Sequence, residues 1–303
     1  MGRHFLPPYP YPFSEPQMFL QQLVNGVTLG STYSLIAIGF TLVLGLLNML
    51  NIAHGDIFMF GAFLGLSLAM LGIPLYLALI LAMLGAGILA IVIERLCFRP
   101  LRKAHFLMPL LSTIAFGILL QNVATQIWGS EPSRYPQTTE VAHFQLGPIL
   151  VSSIDILIVL ISLVLMLGID LFVRRTRFGR AMRATSEKAQ TASLLGVDIN
   201  RVIIFTFFTS GALAGVAGVL TALVYLQITP FIGIRQGLIG MVAMVIGGVG
   251  NLRGAMIGGL TIGIIEIMND AYFTASYRDI ILYGLFFIFI VFKPEGLFGK
   301  KER

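Results

Sequence analysis

The chain has 303 residues, of which 57% are hydrophobic and 11% charged. Soluble globular proteins carry about 25% charged residues, so a chain this poor in charge has too little polar surface to face water. That excludes an ordinary soluble enzyme, a nucleic-acid-binding module and a disordered protein, and it makes the net charge of +6 a question of where the basic residues sit along a membrane protein.

Residues 1–17, MGRHFLPPYPYPFSEPQ, hold five prolines and one Arg. They lack an apolar core followed by a small-residue cleavage site, so they read as an extended or disordered tail and not as a signal peptide. A spanning helix needs about 20 mostly apolar residues. By that measure the chain offers segments at about 19–47, 57–72, 75–97, 107–128, 149–173, 202–228, 238–268 and 279–292. The fold class expected is an all-α polytopic transmembrane bundle of about eight to ten segments.

The first segment is long enough to hold a break near Gly30-Ser31. Asn51, His54 and Asp56 then stand between two apolar runs. Ionisable groups at membrane depth are functional candidates, so these three are placed on a translocation pathway. The competing reading is a helix junction near a polar end, with Asn51 or Asp56 capping the next helix. A first basic loop follows, with Arg95, Arg99, Arg102 and Lys103, and Glu94 is expected to pair with Arg95. Gln121, Asn122 and Gln126 lie in one helix, with Asn122 and Gln126 on one face. They serve interhelical hydrogen bonding or, for Gln121 and Asn122, the pathway.

The loop 129–148 carries Arg134 against Glu131 and Glu140. The loop 174–201, RRTRFGRAMRATSEKAQTASLLGVDINR, carries seven basic residues, and the C-terminus carries Lys293, Lys300, Lys301 and Arg303. Fifteen of the twenty basic residues thus fall in three regions, which the bias of basic residues towards the cytoplasm places on that side, with the C-terminus. The 129–148 loop lies outside on the same reckoning. For the C-terminus to end inside, 238–268 must cross an even number of times, which predicts a break around Asn251–Gly254.

Within 174–201, Phe178, Met182, Thr185, Ala189, Ala192 and Leu195 recur at helical steps and form one narrow, mostly small apolar face. Gly196 is a natural stop. Such a helix suits either a groove in a partner protein or the membrane surface. Glycines spaced by four, such as Gly26/Gly30, Gly211/Gly215 and Gly259/Gly263, let helices approach closely. Nine glycines crowd 237–263, so Gly250 and Asn251 are read as a helix break lining the pathway. Glu266 and Asn269 face either a cavity or the outer interface. Gly-rich stretches near 26–65 and 211–263 suggest a duplication, but no residue-by-residue alignment supports one. One cysteine, Cys97, leaves no internal disulfide, and the four histidines show no ligand spacing.

The run Gly179-Arg180-Ala181-Met182-Arg183-Ala184, continuing through Glu187 to Ala192-Ser193-Leu194-Leu195-Gly196-Val197-Asp198-Ile199-Asn200-Arg201, resembles the coupling loop of ABC importer permeases of the branched-chain amino acid, LivH-type family. Three further segments resemble the same family: Asn25 to Gly39, Asn51-Ile52-Ala53-His54-Gly55-Asp56 with Met59-Phe60-Gly61-Ala62, and Gly247 to Ala255. The resemblance covers about residues 20–298. It implies a permease domain at 18–298 between the tail and a basic end at 299–303, in the bacterial plasma (inner) membrane.

It also implies a second homologous permease subunit, two P-loop ATPase subunits and an external binding protein that delivers the amino acid. ATP and Mg belong to the ATPase subunits, since this chain has no G-x-x-x-x-G-K-[ST] loop and is expected to bind no cofactor itself. Lipid is the only further partner expected, and nucleic acid none. The coupling residues implied are Gly179, Arg183, Glu187, Ala189, Leu194, Leu195 and Gly196. Related permeases carry urea or short amides. A self-contained secondary transporter or channel would need more ionisable residues deep in its helices, and a membrane enzyme would need clustered His, Asp or Glu.

Overall fold

The computed structural model describes residues 15–47, 49–102, 104–105, 107–136, 142–146, 149–293 and 295–299. The expectations for residues 1–14, Lys103, Glu140 and the basic residues at 300–303 lie outside these. Ten α-helices occur among the described residues: α1 Glu15–Leu47, α2 His54–Met70, α3 Leu75–Ile93, α4 Leu107–Trp128, α5 Ser153–Arg175, α6 Arg177–Leu194, α7 Ile199–Tyr225, α8 Ile232–Gly247, α9 Leu252–Tyr272 and α10 Arg278–Phe292. A π-helical turn, Glu94–Phe98, continues α3. Two small antiparallel hairpins pair β1 Ser133–Arg134 with β4 Gln227–Ile228, and β2 His143–Leu146 with β3 Ile149–Ser152. Six of the helices are long and apolar enough to cross a membrane; α2 and α8 are shorter and apolar. The all-α membrane bundle demanded by the composition is what forms.

α1 and α7 are sheathed almost entirely by protein, whereas α4 and α5 leave most of their apolar surface exposed. Rows of exposed Leu, Ile, Val and Phe on α3, α4, α5 and α10 therefore mark the lipid-facing perimeter. Two clusters of contacts define the ends. At one end Gly45 meets Gly250, Arg102 reaches Asn200, and the amides of Leu297 and Phe298 bond the carbonyls of Ile246 and Gly247. The described members of all three basic regions gather here. At the far end the Gln21 side chain brackets Leu150, accepting from its N–H at 2.8 Å and donating to its carbonyl at 2.9 Å, and Trp128 donates to Ser67. Residues 129–136, 142–146 and 149–152 and the start of α1 thus share the end opposite the basic one, in keeping with the charge distribution.

The bundle consists of two inverted halves. α1 packs most extensively on α9, and α7 on α3; α2 lies against α7 and α3 as α8 lies against α1 and α9; α2 touches α4 as α8 touches α10. Exchanging α1–α4 for α7–α10 preserves this pattern, while the chain direction reverses between α1 and α7. Both short helices begin seven residues after their predecessor ends, at His54 after Leu47 and at Ile232 after Tyr225. They cross at Gly55 and Gly233, where a methyl on either residue would lie inside the other's backbone. A duplication that eluded alignment is therefore present in the packing.

Several expectations change. α1 runs through Gly30-Ser31 unbroken, because Gly30 faces the Leu260 backbone of α9 and packing supplies what glycine propensity lacks. The break in 238–268 falls at Gly248–Asn251, with Gly248 and Gly250 at positive φ and Asn251 capping α9 by accepting from the Gly254 N–H. Neither Asn51 nor Asp56 caps α2, whose N-cap is Ala53. Nor does that segment lie near a polar end: Asn51, His54 and Asp56 are all buried. After α1 the chain folds back into the bundle, and His54 packs against Gly39 and Ser210, about 16 Å along α7 from its first residue. Glu94 pairs with Arg95 at 3.8 Å as expected, but it is fully buried and its closer partner is Arg102.

Candidate coupling and translocation site

The candidate coupling segment is built on a sharp elbow. α5 ends at Arg175, and Thr176 caps α6 by accepting from the Gly179 N–H at 2.9 Å. Gly179 fits against the carbonyls of Phe172 and Val173, where no side chain has room. Arg183 donates to the Val173 carbonyl and pins the elbow from the other side. Phe172, Phe178 and Phe205 stack with centroids 4.5–6.3 Å apart and lock α6 to α7. Asp170 accepts from Arg174 at 2.8 Å and from Arg253 at 2.9 Å, joining the foot of α5 to the start of α9. Through this carboxylate the elbow is tied to the end of the α8–α9 turn.

α6 is not one continuous helix. Lys188 leaves helical geometry at φ −152°, ψ 94°, and the face changes there. Gly179, Met182, Thr185 and Ala192 are buried, while Glu187, Ala189, Leu194 and Leu195 are exposed. The single apolar face expected from Phe178 to Leu195 therefore splits in two. Leu194 and Leu195 stand 88% and 80% exposed on the most polar part of the chain. Gly196, at φ +83°, ends the helix as expected, and the Val197 N–H returns to the Ala192 carbonyl. Between α6 and the bundle lies a cavity of about 390 Å³, walled by Met49, Phe98, Arg102, Glu187, Ile203 and Phe207. Gly179 and Arg183 thus shape the elbow, whereas Glu187, Ala189, Leu194, Leu195 and Gly196 form its exposed edge.

The pathway candidates separate into three places. His54 and Asp56 lie at the start of α2, with Asn51 just before it. Ser210 donates to the Gly39 carbonyl at 2.8 Å and lies 3.4 Å from His54 Nδ1, and the His54 ring meets Phe40 edge-on at 4.5 Å. His54 Nε2 and Asn51 Oδ1 have no hydrogen-bond partner among the described residues. Gln121 joins this group by donating to Asp56 at 2.8 Å. Asn122 does not: it is exposed and bonds its own helix at the Ile118 carbonyl. Gly250 and Asn251 lie at the basic end, against Gly45 and the Phe298 carbonyl. Replacing Gln121 by Leu should remove the donor from a buried carboxyl and cost about 1–3 kcal/mol, read as a fall in melting temperature of the detergent-solubilised protein.

Sequence reasoning missed a charged network between α8, α9 and α10. Glu266 accepts from Tyr33 at 2.9 Å and from Arg235 at 3.1 Å, with Arg278 at 3.4 Å. Tyr225 meets Tyr33 at 3.1 Å, Arg278 pairs with Asp270, and Arg235 lies 3.5 Å from Asp279. A signal was available. Five basic residues fall outside the three basic regions, and three of them, Arg235, Arg253 and Arg278, each pair with a buried or half-buried acid.

A family model described as the permease component of the branched-chain amino acid transport system matches residues 22–290. The high-affinity branched-chain amino acid transport system permease protein BraD of Pseudomonas aeruginosa is 39% identical over 297 residues, covering 94% of this chain and 97% of the relative. LivH of Escherichia coli K12, described in the same terms, is 39% identical over 297 residues, covering 94% and 96%. A probable branched-chain amino acid transport permease of Methanocaldococcus jannaschii is 30% identical over 262 residues, covering 82% and 81%. No solved structure matches this chain. With the family model spanning most of the bundle, and two of these relatives aligned over nearly the full length, the chain belongs to the family of branched-chain amino acid transport system permease components, and is a transport subunit, not an enzyme.

Proposed function

We propose that this permease imports branched-chain amino acids across the bacterial plasma membrane as one of two homologous membrane subunits. Two ATPase subunits engage the basic end, which is cytoplasmic, and an external binding protein delivers substrate to the far end. The observation that carries this reading is the edge of α6. Two adjacent leucines, almost fully exposed beside seven basic residues, make an apolar spot on a polar segment, the kind of surface that a partner covers. They suit a groove in a partner protein, and the elbow behind them is rigid enough to transmit its motion.

The buried group around His54, Asp56 and Gln121, at the crossing of the two halves, is the candidate lining of the pathway. Half-helices that begin inside the bilayer are tolerated where protein or a water-filled cavity surrounds them. ATP-driven closure of the partner pair would shift α6, and through Asp170 and Arg253 the α8–α9 turn as well.

Replacing Leu194 and Leu195 together by Asp tests the docking. The expected result is normal insertion with at least roughly thirtyfold weaker co-purification of the ATPase subunits, as for loss of an interface hot spot. Unchanged co-purification and leucine uptake would reject the coupling assignment. Competition of leucine uptake by urea and acetamide separates the amino-acid reading from the short-amide one.

A further inference from the structure

The two halves carry matching ion pairs. Glu94, at the end of α3, bonds Arg102 eight residues on, ahead of α4. Asp270, in the last turn of α9, bonds Arg278 eight residues on, the first residue of α10. Inversion puts the first pair at the basic end and the second at the far end. Each arginine has a cavity on its flank, and the two differ sharply. Beside Arg102 the space is about 390 Å³; beside Arg278 it is about 10 Å³, room for one water at most.

The arginines also differ in their second partner. Arg102 turns to Asn200 on α7, and among the described residues Glu94 is its only acid. Arg278 reaches a second acid, Glu266, deeper in α9, which also holds Arg235 of α8 and the Tyr33 hydroxyl of α1. One carboxylate thus draws four helices together at the end where the cavity is closed. The half that lacks such a contact is the half with the open cavity.

We propose that Glu266, with Arg235 and Arg278, is the bolt of a far-end gate, and that a zwitterionic amino acid opens it by exchanging ion-pair partners. The Glu94–Arg102 and Asp270–Arg278 pairs are constant pins of the two halves. Releasing Glu266 frees α9 from Arg235 of α8 and from the second bond of Arg278, and widens the small space between α9 and α10. Separating an acid from an arginine in a dry interior is costly unless each finds a new partner. An α-amino acid supplies both, its carboxylate to an arginine and its ammonium to Glu266, so no charge is left unpaired. A ligand without the ammonium leaves Glu266 bare, and one without the carboxylate leaves Arg235 only the largely exposed Asp279 at 3.5 Å. Glu266, Arg235 and Arg278 are on this account positioning residues that meet the substrate's charged end, while its side chain is left to the apolar wall. The substrate part rests on the amino-acid reading above; the gate itself does not.

The test uses the assembled transporter with Cys97→Ser and Ile281→Cys, the latter on the wall of the small cavity. The rate of modification by a membrane-impermeant thiol reagent from the far side is measured. Glu266→Gln should raise it about tenfold, and Glu266→Asp should stay near the parent, in the range of ordinary coupling effects. In the parent, leucine presented by the binding protein should raise the rate; leucinamide and 4-methylpentanoate, added directly at high concentration, should not. If Glu266→Gln does not assemble, Arg278→Lys, which keeps the charge and loses the fork, should give an intermediate increase.

No change with any variant overturns the gate, even where leucine uptake is intact. A rise with Glu266→Gln and equal responses to all three ligands overturns the exchange. A rise with Glu266→Gln in a transporter that does not carry leucine supports the gate and counts against the amino-acid reading alone.

Discussion

Replacing Gly55 by Val is expected to abolish transport and to leave little folded protein in the membrane. The Gly55 position faces the Gly233 carbonyl, with the Gly233 carbonyl carbon at 3.0 Å and the Gly237 Cα at 3.1 Å from where a methyl would stand. These are backbone atoms of α8, so no side chain can swing aside. Both helices would have to separate, at a cost of about 3 kcal/mol or more. The position is also at membrane depth, where separated helices expose backbone groups that lipid cannot satisfy. Gly233→Val should do the same, because it meets the Gly55 carbonyl carbon at 2.7 Å. Gly284→Ala is the control: nothing lies within 4 Å of it, and folding and uptake should be unchanged. Yield of monodisperse protein and leucine uptake check all three. Normal yield with Gly55→Val would mean that α2 and α8 do not cross at these residues.

Glu94→Ala should clearly destabilise the basic end of the bundle. Its carboxylate is wholly buried in the π-helical turn, and Arg102 is its principal partner. Removal breaks a buried pair, for which about 3 kcal/mol is typical. Arg102 is partly exposed and can find water, so the observed value should lie near the low end of that class. The double exchange Glu94→Arg with Arg102→Glu should recover only part of the loss, because Glu at 102 no longer donates to the Asn200 side chain. Thermal unfolding of the four proteins in a double-mutant cycle measures the coupling.

The helices were legible because bilayer thickness sets a length, and apolar runs of that length are hard to hide. Charge placement called for a break between α8 and α9, because an even number of passes needs one, but put it three residues too late, at Asn251–Gly254 and not at Gly248–Asn251. The same reasoning misplaced Asn51–Asp56. It assumed that a polar stretch after a helix stays at that helix's end, whereas the chain turns back along α1 before α2 begins. The kink at Lys188 was invisible because the apolar period runs straight through it. The repeat was invisible because its marks are sparse, such as Gly55 and Gly233 at the crossing and one acid–arginine pair in each half. The Glu266 network spans 233 residues from Tyr33, a separation that no local pattern reports. Of the candidate site, the stop at Gly196 was readable from its residue type, the residues of the exposed edge were named only through the resemblance, and the pairing of Gln121 with Asp56 was not readable.

The exchange of α1–α4 for α7–α10 leaves α5 and α6 without counterparts. A pair of inverted halves, taken alone, has no preferred direction: whatever opens one end can in principle open the other. Ser153–Leu194 is the insertion that removes this equivalence. Its exposed edge lies at one end only, and Asp170 ties the foot of α5 to α9. On the coupling proposed above, the direction of transport is set through this insertion, because the two halves hold no second copy of it.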